Sequence, residues 1–112
     1  MSAYKVIYRN AHPDWQEGCP IKIEAIQVSR NTESGVCFLQ TKLTNISNEK
    51  ACVIEFNVSL SNDEGDSETI DFQLLDADLP AGKTMTPEAK KISLSEVTDS
   101  VASITRVDEQ KS

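Results

Sequence analysis

The chain is poor in several things that would have named a function at once. It has no apolar run near the ~20 residues that cross a bilayer as a helix, so insertion into a membrane is not expected. It has no excess of base: 11 Lys and Arg stand against 18 Asp and Glu, a net charge of −7. Nucleic acid is therefore not an expected partner, because binding to a phosphate backbone rests on clustered Lys and Arg. Cysteine is scarce, and Cys19, Cys37 and Cys52 are an odd count with no close pair. Three thiols cannot all be bridged, which favours a reducing compartment. With one histidine and no C-x-x-C, a structural zinc site lacks its usual ligand spacing. Aromatics make up 5% of residues, so a small core must use each large side chain with care. The start, Met1-Ser2-Ala3-Tyr4-Lys5, has no basic segment followed by an apolar stretch. A cytoplasmic protein, or a domain cut from a longer one, is expected.

What is present is alternation. In the run from Lys50 to Leu60, Cys52, Ile54, Phe56, Val58 and Leu60 share one face, and Glu55, Asn57 and Ser59 the other. A period of two over this length predicts a half-buried strand. From Val36 to Thr44, Cys37, Leu39 and Leu43 alternate with Gln40, Lys42 and Thr44. Phe38 breaks that rule and is read as covering an outer patch. The link 45–49 has hairpin length, yet in a sandwich such a link can also cross between sheets. Further strands are predicted at Tyr4–Tyr8, Ile21–Val28, Glu68–Leu75 and Val101–Val107. The phase change in the second of these predicts a bulge near Ala25. A weaker strand is predicted from Thr84 to Leu94, at an edge or starting after Pro87, since proline donates no ladder hydrogen bond. No long helix is expected. Residues 1–107 read as one domain, with 108–112 as a frayed C-terminal tail.

The fold class these runs predict is all-β, an antiparallel immunoglobulin- or fibronectin-like sandwich of about seven strands. The stretch Leu39-Gln40-Thr41-Lys42-Leu43-Thr44-Asn45-Ile46-Ser47, the strand to Leu60 and then Asp63-Glu64-Gly65 resemble a small bacterial immunoglobulin-like module. Cys19-Pro20-Ile21 and Asp78-Leu79-Pro80-Ala81-Gly82 also resemble that pattern. Such modules occur in Gram-positive proteins, sometimes beside a zinc ribbon or a membrane anchor. The resemblance spans roughly Cys19 to Val107. It implies a sandwich with a non-catalytic role and transfers no site residues.

Candidate sites follow from the loops and the aromatics. If successive strands alternate in direction, loops 31–35, 62–67 and 95–100 share one end. Asp63, Glu64, Asp66 and Asp99 there, with Glu33 and Glu96, are the candidate ligands for Ca²⁺, which takes 6–8 oxygens. A solvated acidic loop end is the plain alternative. Asp76 and Asp78 fall at the opposite end and do not join that set; local turn bonding is their plain role. His12 with Cys19 has the residue types of a base and a nucleophile, but nothing supplies an oxyanion hole. Trp15, Tyr4 and Tyr8 are the candidate partner-binding residues, because Trp and Tyr dominate interface hot spots. Trp15 has a second reading, as a plug over the end of the sandwich.

The functional expectation is a binding or accessory module that meets a protein partner through loops or an edge strand. A homodimer by edge pairing is one form of this. Cation or ligand binding by the acidic loops is the alternative. No enzyme activity and no cofactor are expected.

Overall fold

The computed structural model of the protein describes residues 3–110. These form eight strands and no helix: β1 (Tyr4–Asn10), β2 (Ile21–Asn31), β3 (Cys37–Asn45), β4 (Lys50–Ser61), β5 (Ser67–Leu74), β6 (Thr84–Met85), β7 (Lys90–Ile92) and β8 (Asp99–Gln110). All pairings are antiparallel. The first sheet runs β1-β2-β3, and the far edge of β3 is shared by β6 and β7. The second runs β5-β4-β8. The link 46–49 therefore crosses between sheets.

The expected strand from Thr84 to Leu94 is two short pieces, β6 and β7, which raises the count from about seven to eight. Pro87 lies in the gap. It has no N–H to donate, and it pushes Thr86 toward an extended shape that departs from the ladder.

Bulges decide which side chains face inward. Ile23 pairs with Leu43 and Ala25 with Lys42, so Glu24 is the extra residue and the bulge expected near Ala25 is there. Ile26 and Val28 return to the core beyond it. A second bulge corrects the reading of Cys52. The register of β4 against β8 shifts between Ala51 and Val53. Ala51 is thus buried, and Cys52 is half-buried rather than a core side chain. The Cys52 carbonyl accepts a hydrogen bond from the Ala77 N–H at 3.0 Å instead. Cys37 is buried as expected. All three cysteines are free thiols.

β8 also runs past its expected end. Asp108, Glu109 and Gln110, read as tail, pair with Val53, Ala51 and Lys50. Lys111 and Ser112 lie outside the described residues.

The core draws on both sheets. Ile21, Ile23, Ile26, Val28, Leu39 and Leu43 from the first meet Ile54, Phe56, Val58, Leu60 and Phe72 from the second. Phe56 and Phe72 stack at 4.5 Å between centroids, 3° from parallel. Each fully buried side chain of this size contributes roughly 1.5–3 kcal/mol over its exposed state. One polar residue is buried with them at the crossing between sheets. The Asn45 amide donates to the carbonyls of Glu49 (2.8 Å) and Leu79 (2.9 Å) and accepts from the Ser47 N–H and hydroxyl, both at 2.9 Å. Every group it brings inside is satisfied.

One flank of the molecule is tied across the sheets by side chains. Lys90 of β7 donates to the Asp71 carbonyl of β5 at 2.7 Å and lies 4.9 Å from the Phe72 ring centre. Glu68 accepts from the N–H groups of Ser93 (2.7 Å) and Leu94 (3.3 Å). The other flank, β1 over β8, has the Tyr8 hydroxyl on the Ser100 hydroxyl at 2.8 Å.

Candidate functional site

The three aromatic candidates are not gathered. Tyr4 and Tyr8 sit on opposite faces of the first sheet, because the register of β1 against β2 shifts between Val6 and Tyr8. Residues paired across strands share a face. Tyr8 pairs with the buried Val28 and packs against the core. Tyr4, two residues before Val6, lies with Ser29 on the outer side. Trp15 is at the far end of β2, where its indole N–H donates to the Cys19 carbonyl at 3.2 Å. It is 41% exposed and does not belong to the core, so it is not a plug. The run from Cys19 to Asn31 separates it from Tyr4 by roughly 30 Å or more.

The acidic loops do share one end. Arg30 donates to the Ser95 carbonyl, the Asn62 amide to the Glu96 carbonyl, and the Thr98 hydroxyl to Asp63. Their carboxylates nonetheless do not converge. Asparagines hold the turns: Asn31 accepts from the N–H groups of Glu33 and Ser34, and Asn62 from those of Glu64 and Asp66. Asp99 faces away, lining a crevice with Asn10, His12 and Asp14. Among the described residues no three His, Cys, Asp or Glu side chains are placed to hold a metal ion. At the opposite end Asp78 lies 3.6 Å from the Lys50 amine.

His12 and Cys19 are apart as well. His12 borders the start of β8, beside Asp99 to Ala102, and Cys19 borders its other half, beside Ile104 to Glu109.

What the fold does assemble is the outer face of the first sheet. Ser29 pairs with Phe38, Phe38 with Lys91, Gln27 with Gln40, Arg9 with Gln27, Ala25 with Lys42 and Lys22 with Thr44. All of these lie on the side away from Leu39, Leu43 and Val28. The Tyr4 and Phe38 rings meet edge to face, 6.2 Å apart at 68°. Tyr4 is 59% exposed and Val6 beside it 49%. Thr32 fixes the start of this strand by donating its N–H and hydroxyl to the Ala3 carbonyl, at 2.9 and 3.1 Å. A shallow groove of about 490 Å³ runs between Tyr4, Val6, Phe38 and Ala89. Gln27 and Gln40 form its floor and also border a second hollow of about 150 Å³, flanked by Arg9 and Lys42. The two make one trough, apolar at one end and basic at the other.

The charge on this face runs against the whole molecule. Arg9, Lys22, Lys42 and Lys91 stand on it, and none is in an ion pair among the described residues. Glu24 at the bulge and Glu88 at the rim are the nearby acids. At physiological salt, charges more than ~8 Å away are largely screened, so a ligand in the trough meets these cations rather than the net −7. Elsewhere Arg106 holds the Asp108 carboxyl below its ordinary range through a side-chain hydrogen bond, Nε to Oδ1 3.1 Å.

The apolar end of this trough, Tyr4 and the odd Phe38, was visible in the sequence. It missed the cations, whose shared face depends on bulges at Ile7 and Glu24 that alternation alone does not locate. No helix among the described residues is long and apolar enough to cross a membrane. No protein family, curated protein or solved structure matches this chain.

Proposed function

We propose that the chain is a non-catalytic protein-binding module, built as an immunoglobulin-like sandwich, that seats a protein partner on the outer face of its first sheet. One observation carries this reading: the exposed side chains of Tyr4 and Val6, with the half-buried Phe38 ring against Tyr4, at the mouth of an open groove. Large apolar side chains exposed together mark interaction sites more often than single ones do, and tyrosine is enriched where binding energy concentrates. The free edge of β1 borders the groove, but its bulge at Ile7 breaks the run of backbone groups an added strand would need. The face, rather than edge pairing or a β1–β1 homodimer, therefore carries the contact.

Site-directed photo-crosslinking tests this. A benzophenone side chain at Gln40, on the groove floor, should give a discrete adduct with a second protein in the source cell. The same group at Thr69, on the outer face of the second sheet, should give none. Equal labelling from both positions, or none from Gln40, overturns the proposal.

A further inference from the structure

We infer that the partner segment is acidic, with a bulky apolar anchor for the Tyr4–Phe38 end of the trough and carboxylates for the Arg9–Lys42 end. This deepens the protein-binding reading of the same face and rests on it. Charge complementarity points to an acidic partner. Arg9, Lys22, Lys42 and Lys91 share one face of a chain that carries seven more acids than bases. An unpaired cation on a surface is ordinary. Four of eleven bases on one face, beside the exposed Tyr4 and the half-buried Phe38, are an arrangement that a carboxylate-bearing ligand completes.

The spacing sharpens the inference. Phe38 and Lys42 are four residues apart on β3, about 13 Å at the usual strand rise. The anchor and the nearest carboxylate of the partner should lie about that far apart. Between them the Gln27 and Gln40 amides offer both donors and acceptors to a passing backbone.

A single-stranded nucleic acid would also be drawn to cations beside aromatics. The geometry favours protein. Tyr4 and Phe38 turn an edge to a face instead of presenting two open parallel planes for bases.

The test is selection from a displayed library of random dodecapeptides on the whole protein, followed by a backbone-amide titration with the best peptide. The expected peptides are rich in Asp and Glu with one large apolar residue. Their shifts should map to Tyr4–Arg9, Gln27–Ser29 and Phe38–Lys42. The double variant Arg9→Glu, Lys42→Glu should bind them at least tenfold more weakly and, used as bait, should select basic peptides instead. Both positions are exposed, and an unchanged thermal midpoint confirms folding. Neutral or basic peptides that map to the same face overturn the acidic inference and leave the protein-binding reading standing. Peptides mapping elsewhere, or no peptides at all, overturn both. Oligothymidylate binding as tightly as the peptides at physiological salt overturns the choice of protein over nucleic acid.

Discussion

On the outer face of the second sheet the polar groups answer one another. The Ser59 and Thr69 hydroxyls are 2.8 Å apart across β4 and β5, and Arg106 lies 3.8 Å from Glu55 across β4 and β8. Asn57 sits between Asp71 and Ser103. On the outer face of the first sheet, Arg9, Lys22, Lys42 and Lys91 have no carboxylate partner among the described residues, and Tyr4 stands in water beside them against the half-buried Phe38. The core beneath the two sheets is shared, so burial does not explain the contrast. A face whose groups are already paired keeps a protein dispersed. A face that leaves its cations open is the one the proposed partner would use.

The contrast can be broken at several depths. The largest change should come from the core that both faces rest on. Phe56→Ala removes one ring of the stack and should cost about 3–5 kcal/mol in denaturant unfolding; a loss under about 1 kcal/mol would mean the rings do not hold the sheets together. Next, Asn45→Ala strips the crossing between sheets of its amide. It leaves the Ser47 N–H without its acceptor and takes one of two donors from each of the Glu49 and Leu79 carbonyls, and should cost about 2–3 kcal/mol. Thr41→Val acts in the opposite direction. The Thr41 hydroxyl is buried without a hydrogen-bond partner, so the methyl isostere should raise stability by about 1 kcal/mol. A loss there would reveal a partner, such as an ordered water. Replacing Tyr4 and Val6 by serine, on the open face, should move stability by only about 0.5 kcal/mol while abolishing the Gln40 adduct. A large destabilisation would recast this patch as support for the fold.

The smallest effect concerns acid. Arg106 depresses the pKa of Asp108, so the stability from this pair is present above the ordinary carboxylate pKa. It is lost as pH falls through the lowered folded value. Both groups are exposed. Asp108→Asn should flatten only the most acidic part of a stability-against-pH curve, leaving neutral pH untouched. A change near pH 7 would show that another group titrates with it.

Much of this was legible in the residues. Alternation placed β4 and the inner side of β3, and the change of phase in β2 announced the bulge at Glu24. Phe38 stood out because it was apolar at a wet position. What stayed hidden depends on register between distant strands. Cys52 looks inward by parity until the shift against β8 turns Ala51 in its place. Arg9 and Lys42 are separated by 33 positions (42 − 9) and become neighbours of one hollow only after two bulges have set the phase. The sharing of Asn45 between two loops' backbone groups is also invisible in a run that reads simply as polar link.

The Lys90 amine lies on a backbone oxygen of the outermost strand of the second sheet. A foreign chain seeking to extend that sheet would have to displace a hydrated cation from its docking oxygen. On the opposite flank the kink at Ile7 denies it a straight template. Strand-upon-strand growth at these two edges should therefore be slow when the protein is concentrated, even though all of its regular secondary structure is strand.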